Sequence, residues 1–457
     1  MRSIRFNQFL GGRDVGKTMH SAVSIAFIGT LFAGAAMIAG TELPDLGGGN
    51  ASFALSVNDK GDIVGRSYNA NYQERATAWI AGGATTDLGT LGGSNSDAKA
   101  VSSLGVIVGS SDVTGDSRRH AALWSSASSA PIDLGTLGGW NSGASGVNAN
   151  GDVVGLSHIS DNSEMHATLW TGASHAAVDL NPAGAGFSEA VGINTAGDIV
   201  GTSMDAVTWA SQPVLWTGAN HLPAALSTLG GLNGNAYAIN DKGDVVGQSQ
   251  NSAGVWRPTL WAAPAHAPAD LGTPIVGSFG SATGINSVGD VVGYTGTVDG
   301  SKHSTLWQVA SAAGTPSTCK LSTLSKSQQR LGSDNRSRSD DRRAEERERD
   351  RQWLGLSSSK PAPSSPAASA MAAASTTPVS SSSSRAMIDL GILVGPNSQA
   401  TSVNASDKIV GFGDNLTTLS RAMTWQATPS VPVPPTGTPG RDHEGNHQNR
   451  GQEENDC

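Results

Sequence analysis

The stretch "GVNANGDVVGLS", Gly146 to Ser157, has the pattern of a β-hairpin. A few alternating residues lead into an Asn-x-x-Gly-Asp turn, and a Val-Val-Gly run follows it. Gly adopts positive φ, and Asn and Asp side chains bond to nearby backbone, so this combination favours a tight turn. Closely similar stretches lie 90 residues earlier, "SVNDKGDIVGRS", and 92 residues later, "AINDKGDVVGQS". The hairpin is therefore one copy of a repeated unit.

The repeat has a period of 46 residues. Its anchor is the last Gly of the Gly-Asp-Val-Val-Gly element, found at Gly65, Gly109, Gly155, Gly201, Gly247, Gly293 and Gly411. The first five spacings are 44, 46, 46, 46 and 46, and the sixth is 118, which indicates an insertion of about 72 residues. A Trp follows each anchor by 14 or 15 residues, at Trp79, Trp124, Trp170, Trp216, Trp261, Trp307 and Trp425.

Each copy contains four candidate strands. They are a short run into Asn, the Asp-Val-Val-Gly-x-Ser run, a segment ending in Leu-Trp, and a segment with Asp-Leu-Gly. Four strands in 46 residues is the size of one propeller blade, whereas a rung of a parallel β-helix would repeat at about half that length. The sequence predicts an all-β fold, a seven-bladed β-propeller of four-stranded repeats.

The two ends of the repeat region complement each other. The chain has an Asp45-Leu46-Gly47 element before its first hairpin and lacks such an element after Trp425. In a closed ring the early strand completes the last blade and removes an exposed sheet edge. We therefore predict that the Asp45 strand pairs with the blade that contains Trp425.

Segments outside the repeats have other compositions. Arg2, Arg5, Arg13 and Lys17 precede the uncharged stretch "SAVSIAFIGTLFAGAAMIAG", so residues 1–40 are expected to be a cleaved signal peptide or, alternatively, a membrane anchor. The expected blade regions are 41–316 and 386–427. The charged and Ser/Ala/Pro-rich insertion 317–385 and the Pro-rich, polar tail 428–457 are expected to be disordered.

Composition excludes some functions. The net charge of −9 argues against a nucleic-acid partner, because nucleic acids select basic surfaces. The two cysteines, Cys319 and Cys457, lie outside the repeats, so a disulfide framework does not hold the fold. Contact with a membrane is expected only through the amino-terminal segment.

The repeat resembles the HAF family of bacterial extracellular repeats. The resemblance rests on "DLGTLGG" at Asp87 to Gly93 and Asp133 to Gly139, on Asn-x-x-Gly-x-Val-Val-Gly-x-Ser, and on "HAALW" and "HATLW". It covers about residues 45 to 425 without the insertion, but the His-Ala-Phe tripeptide itself is absent. The family implies secretion or surface display and no particular reaction. Some such proteins look like autotransporter passengers, and this chain shows no C-terminal series of amphipathic strands.

The tryptophans divide into two groups. The seven periodic ones are expected to pack neighbouring blades together, since a large apolar side chain at one fixed position suits that role. Trp140, Trp209, Trp256 and Trp353 lie off the period. The first three are candidates for an aromatic sugar-binding surface.

A basic or polar residue stands four positions before each periodic Trp. The set is Arg75, His120, His166, Gln212, Arg257, His303 and Arg421. Three histidines suggest a metal, but Arg cannot coordinate one, so we predict no metal site and expect these side chains to bond neighbouring backbone.

The Asn-Asp-Gly turns suggest calcium as an alternative to a purely structural turn. They contain Asn58, Asn148, Asn194, Asn240 and Asn286, with Asp62, Asp152, Asp198, Asp244 and Asp290. The alternating oxygen ligands of an EF-hand loop are missing, so an Asn-capped hairpin is favoured and no cofactor is expected.

No catalytic motif was found: there is no Gly-x-Ser-x-Gly, phosphate loop or Cys-x-x-Cys. The sequence thus favours a secreted or cell-surface, non-catalytic binding or adhesion scaffold for a glycan or a protein. Two alternatives stay open, an extracellular carbohydrate hydrolase or lyase on a propeller, and a degenerate passenger without activity. The ligand is not predictable from the sequence.

Overall fold

The structure, a computed structural model, describes residues 40–80, 85–172, 174–275, 277–297, 299–309, 385–391, 395–415 and 419–427. These residues form seven four-stranded antiparallel sheets, each packed against the next around a ring. The predicted seven-bladed β-propeller is confirmed. Within the described ranges no helix has the length and apolar character needed to cross a bilayer.

Each blade runs from an innermost strand 1 to an outermost strand 4. Blade 1 contains β2 (Gly47–Val57), β3 (Ile63–Asn69), β4 (Glu74–Trp79) and β5 (Thr85–Asp87). Blade 2 contains β6 (Gly92–Val101), β7 (Ile107–Val113), β8 (Arg119–Trp124) and β9 (Ile132–Asp133). Blade 3 contains β10 (Gly138–Val147), β11 (Val153–Ile159), β12 (Met165–Thr171) and β13 (Ala176–Asp179). Blade 4 contains β14 (Ala185–Ile193), β15 (Ile199–Asp205), β16 (Ser211–Thr217) and β17 (Leu222–Ala225).

The remaining blades follow the same order. Blade 5 contains β18 (Gly230–Ile239), β19 (Val245–Asn251), β20 (Trp256–Ala262) and β21 (Ala267–Asp270). Blade 6 contains β22 (Gly280–Ile285), β23 (Val291–Gly296), β24 (Lys302–Val309) and β25 (Arg385–Gly391). Blade 7 contains β26 (Ser398–Val403), β27 (Lys408–Asp414), β28 (Ser420–Gln426) and, from the start of the chain, β1 (Thr41–Glu42).

Strands β24 and β25 pair across the insertion. The predicted signal or anchor segment 1–40, insertion 317–385 and tail 428–457 lie outside the described residues, apart from Gly40 and Arg385.

The anchor glycines lie opposite a bulge. In every blade the pairing of strand 1 with strand 2 shifts by one residue after an Ala, as between Ala144 and Gly146. A Cβ at any of the seven anchors would overlap the carbonyl oxygen of the residue before that Ala. Glycine is therefore required wherever the hairpin bulges in this way.

The periodic tryptophans fill the spaces between blades. Six of them are at most 1 % exposed, and Trp79 is 5 % exposed. Five indole N–H groups donate to a carbonyl oxygen just after strand 4 of the preceding blade, for example Trp124 to Leu88 at 2.7 Å and Trp216 to Leu180 at 2.9 Å. All seven rings thus join two blades by apolar packing, and five of them add a hydrogen bond; the Trp170 and Trp425 indole N–H groups have no such partner among the described residues.

A chain of asparagine amides runs around the ring axis. The side-chain Nδ2 of the Asn at the strand 1–2 turn donates to the carbonyl oxygen of the equivalent residue in the next blade, at 3.0–3.4 Å. Six blades contribute such an amide, and Asn404 of blade 7 closes the circle onto Asn58 of blade 1. Blade 2 has Ser102 instead, so its turn receives the bond from Asn58 but has no amide to donate towards Asn148.

Ring closure follows the predicted route with a different register. The strand that pairs with β28 is Thr41–Glu42, three residues before the predicted Asp45. The Leu43 N–H donates to the Ala422 carbonyl, whereas Leu46 N–H donates to the Ser67 hydroxyl, as Leu91 does to Ser111. Asp45 therefore matches Thr90 and not Asp87. The predicted register was wrong because "DLGTLGG" contains two Leu-Gly pairs three residues apart, and Leu46-Gly47 was aligned with the first pair although it corresponds to the second.

A serine hydroxyl of strand 1 joins five of the seven blade seams. It accepts the N–H of a strand 3 residue in the preceding blade at 2.9 Å, as in Ala121 to Ser142. At the other two seams a proline replaces the donor and a glycine replaces the serine. The pair is Pro213 with Gly234 between blades 4 and 5, and Pro258 with Gly280 between blades 5 and 6. A Cβ on Gly234 would lie 3.0 Å from Pro213 Cδ, so donor and acceptor are lost together.

We expect Ser102→Asn to stabilise the ring by about 1 kcal/mol, the net value of one intramolecular hydrogen bond, because it supplies the missing amide. The reverse change, Asn194→Ser, is the matched control and should lower the melting temperature. Thermal unfolding of both variants measures the effect. A Ser102→Asn variant that melts at or below the wild-type temperature would contradict the role given to the amide chain.

We expect Pro213→Ala and Gly234→Ser each to destabilise, the first by leaving a buried N–H without an acceptor and the second by crowding Pro213. The double variant should recreate the bond found at five seams, with a favourable coupling energy of about 1 kcal/mol or more. Denaturant unfolding of the four proteins of the cycle measures the coupling. Additive losses would show that the two replacements are independent.

Candidate ligand-binding face

The ring has two distinct faces. The upper face carries the turns between strands 2 and 3 and the connections from strand 4 into the next blade; the lower face carries the strand 1–2 and 3–4 turns. On the upper face, an Asn near the start of strand 1 accepts the N–H of the first strand 3 residue of the preceding blade. Examples are Ser211 to Asn233 at 3.0 Å and Glu74 to Asn95 at 3.1 Å.

The three candidate tryptophans lie on the upper face but at three different seams. Trp140 is 59 % exposed at the start of β10, where its N–H donates to Asn162 Oδ1. Trp209 is 62 % exposed in the turn between β15 and β16. Trp256 is partly buried as the first residue of β20. The structure therefore places them on consecutive blades without bringing them into one pocket.

Trp209 adopts a backbone conformation that bulky residues avoid. Its φ is +59°, in the left-handed region. The equivalent turn position, two residues before strand 3, is Gly254 in blade 5 and Gly300 in blade 6, with φ of +76° and +84°. In blade 1 it is Tyr72, with φ of +60° and 75 % exposure. A side chain in this region costs about 1–2 kcal/mol relative to Gly.

The Trp209 turn is held by Asp205. The Asp205 Oδ1 accepts the N–H groups of Val207 and Thr208 and the Thr208 hydroxyl, and the Trp209 N–H donates to the Asp205 carbonyl at 3.0 Å. The Thr208 bonds, backbone first, and the Val207 bond hold the pKa of Asp205 below its usual range. The turn thus presents an exposed indole in a fixed backbone.

Polar and apolar groups surround this indole at the seam between blades 4 and 5. Ser211, two residues after Trp209, bonds Asn233, and Gln212 Nε2 donates to the Leu232 carbonyl at 3.4 Å. Leu232 and Val207 are also exposed. Sequence reasoning missed these two residues and Tyr72; aligning the strand 2–3 turns with the Gly254 turn would have revealed Tyr72 and Val207, whereas Leu232 lies in β18.

The expected bonds to neighbouring backbone are found for Arg75, Arg257 and Gln212, which donate to the Ser94, Ser278 and Leu232 carbonyls. The Arg and His members of the set also pair with carboxylates, which the sequence analysis did not predict. Each reaches the acid of strand 4 in its own blade, as in Arg75–Asp87 at 3.0 Å, His120–Asp133 at 2.8 Å and Arg257–Asp270 at 2.8 Å. Further pairs are His166–Asp179, His303–Asp389 and Arg421–Glu42. In blade 4 both partners are replaced, by Gln212 and Ala225, so the exposed Trp209 lies in the one described blade built without this ion pair.

The lower face has a cavity on the ring axis. It has a volume of about 210 Å³ and is lined by three consecutive residues of each blade, such as Val57–Asp59 and Ile239–Asp241. The Asn Oδ1 atoms at these turns accept backbone N–H groups, as Asn148 does from Asn150 and Asp152, so they are engaged within the hairpins. Among the described side chains no group of three or more His, Cys, Asp or Glu could hold a metal ion.

Asp407 of blade 7 disturbs the lower face at the seam with blade 6. It stands where the other blades have Gly and has a φ of +57°. Its carboxyl group accepts Asn286 Nδ2 at 3.3 Å and Gln308 Nε2 at 3.4 Å. Burial, and then the neighbouring Asp290 carboxylate, raise the pKa of Asp407 to about 6.

The comparisons with known proteins are sparse. No family model matches the sequence, and no curated protein matches it. Among solved structures, a mutant of Aleuria aurantia lectin in complex with Fucα1-6GlcNAc is similar over 58 % of this chain and 93 % of that chain. Its identity is 12 % and its TM-score 0.31, so this likeness carries no argument about ligand.

We expect Asp407→Gly to stabilise the protein, and more at pH 7.5 than at pH 4.5. A raised pKa means that the folded state loses stability as the pH rises from about 4 to 6, where Asp407 ionises beside Asp290. Relief of the left-handed backbone should give about 1 kcal/mol at both pH values, and loss of the charge should add a further gain at pH 7.5, which solvent screening of this partly exposed carboxylate limits to about 1 kcal/mol. Denaturant unfolding at both pH values measures this. An equal gain at both would contradict the charge argument.

Proposed function

We propose that this protein is a non-catalytic glycan-binding scaffold, exported to the cell surface or beyond, whose upper face binds a sugar at the seam between blades 4 and 5. The observation that carries the proposal is Trp209, an indole 62 % exposed on a left-handed backbone. Blades 5 and 6 place Gly at the corresponding left-handed position, in a turn that is one residue shorter, so the fold does not call for an indole there. A residue that costs stability and packs poorly within its own chain points to an external contact.

The surroundings of Trp209 favour a glycan over a protein partner. An indole offers a flat apolar face, which suits the flat C–H face of a pyranose ring. The same turn and the start of strand 3 carry neutral hydrogen-bonding groups, the Thr208 hydroxyl and the Gln212 amide, which donate within the chain to Asp205 and Leu232 respectively. A stable protein interface buries about 800 Å² on each partner, far more than one aromatic turn supplies.

A carbohydrate hydrolase or lyase is the alternative function. Such an enzyme needs a convergent acid and base with matched pKa values. In the described blades the strand 4 carboxylates are held in ion pairs with Arg or His of their own blade. That arrangement supports a scaffold. Export and the kinship with HAF repeats are part of the proposal and rest on the amino-terminal segment and the repeat motif.

A glycan array with a parallel screen for glycosidase and lyase turnover tests the proposal. We expect binding without turnover, and we expect Trp209→Gly to abolish the binding at this seam. The same variant should melt at a higher temperature, because Gly relieves about 1–2 kcal/mol of left-handed backbone cost. Loss of binding together with a gain in stability excludes unfolding as its cause.

Two controls sharpen the test. Trp209→Phe keeps an aromatic face and should retain part of the binding. Asn162→Gly changes another left-handed turn residue of the upper face and should leave binding unchanged. Turnover that disappears when one acid is replaced, or glycan binding that survives Trp209→Gly at full strength, would contradict the proposal.

A further inference from the structure

We propose that the upper face carries a second glycan site, at the seam between blades 1 and 2, centred on Tyr72, so that one molecule binds two copies of its glycan. This inference rests on the proposed function. Tyr72 was not among the aromatic residues that the sequence singled out. It occupies the Trp209 turn position in blade 1, with φ of +60° and 75 % exposure.

Both turns place an aromatic residue two positions before strand 3, although the blade 4 turn is one residue longer: the Trp209 N–H donates to the carbonyl four residues back, and the Tyr72 N–H to the carbonyl three residues back. Trp209 lies two residues before Ser211, whose N–H donates to Asn233; Tyr72 lies two residues before Glu74, whose N–H donates to Asn95 at 3.1 Å. The next residue also reaches across each seam. Gln212 donates to the Leu232 carbonyl at 3.4 Å, and Arg75 donates to the Ser94 carbonyl at 3.2 Å.

The Tyr72 turn is as firmly held as the Trp209 turn. Asn69 Oδ1 accepts the N–H groups of Asn71 and Gln73 at 2.9 and 3.1 Å, and the Tyr72 N–H donates to the Asn69 carbonyl at 3.0 Å. The Asn251 side chain holds the blade 5 turn in the same way around Gly254. The scaffold therefore accepts Gly at this position, and Tyr adds backbone cost without buried area.

The groups near Tyr72 match a sugar. The Asn71 and Gln73 amides and the Ser94 hydroxyl flank the turn, and Ser94 is oriented by Asp116 through bonds of 2.6 and 2.7 Å. Ser94 stands where Leu232 stands at the other seam, so the second site is the more polar. A phenol also offers a smaller face than an indole, so the second site should bind more weakly.

The two sites lie far apart around the ring. Blades 2 and 3 separate blade 1 from blade 4 in one direction, and blades 5, 6 and 7 do so in the other. Both turns open to the upper face. A surface that displays many copies of one glycan can therefore engage both sites, and the second contact becomes intramolecular and raises the apparent affinity.

Calorimetric titration of the full-length protein tests the inference. The titrant is the oligosaccharide ranked first on the array, in free soluble form. We expect two sites in the wild type, one site in Tyr72→Gly, one in Trp209→Gly and none in the double variant. On a surface coated with the same oligosaccharide, each single variant should bind at least tenfold more weakly than the wild type.

The controls separate this inference from the proposed function. Both Gly variants should melt above the wild type, and Asn162→Gly should keep two sites. A single wild-type site that Trp209→Gly removes and Tyr72→Gly leaves intact would overturn the second site and spare the proposed function. Binding that survives the double variant would overturn both.

Discussion

The ring is organised around one interaction, the asparagine amide that joins six of the seven inner turns to the turn of the next blade. The same side chain has two tasks. Its Oδ1 shapes the hairpin by accepting backbone N–H groups, and its Nδ2 donates to the neighbouring blade. Hairpin geometry and ring geometry are thereby coupled, so a blade that folds its turn also orients its neighbour.

Outside this amide chain, the seams follow a rule of paired replacement. Where a proline removes an N–H, a glycine removes its serine acceptor; where Gln212 removes a base, Ala225 removes its acid. Buried polar groups without partners are expensive, so these changes are tolerated in pairs. Blade 4 takes part in both kinds of pair, through Gln212 and Ala225 and through Pro213, whose partner Gly234 lies in blade 5. Both replacements therefore lie in or beside the blade whose upper turn carries Trp209.

The period of 46 and the four strands of each copy were predictable, because turn residues and β-branched runs recur in register. The strand that closes the ring was predicted three residues too late, because Leu46-Gly47 can be aligned with either Leu-Gly pair of "DLGTLGG". In four blades the acid lies 12 or 13 residues after its base and was visible in the sequence, but the pairing of strand 3 with strand 4 was needed to bring the two side chains together. Tyr72 was missed because a left-handed φ is readable only by comparison with Gly254 and Gly300.

The central claim is that a pyranose ring packs against Trp209 at the seam between blades 4 and 5. A crystal structure of the protein with the first-ranked array oligosaccharide tests it most directly. The account predicts a sugar ring stacked on the indole, with hydroxyl groups bonded to the Thr208 or Gln212 side chains. A sugar found in the axial cavity of the lower face, with Trp209 exposed to solvent in the same crystal, would contradict it.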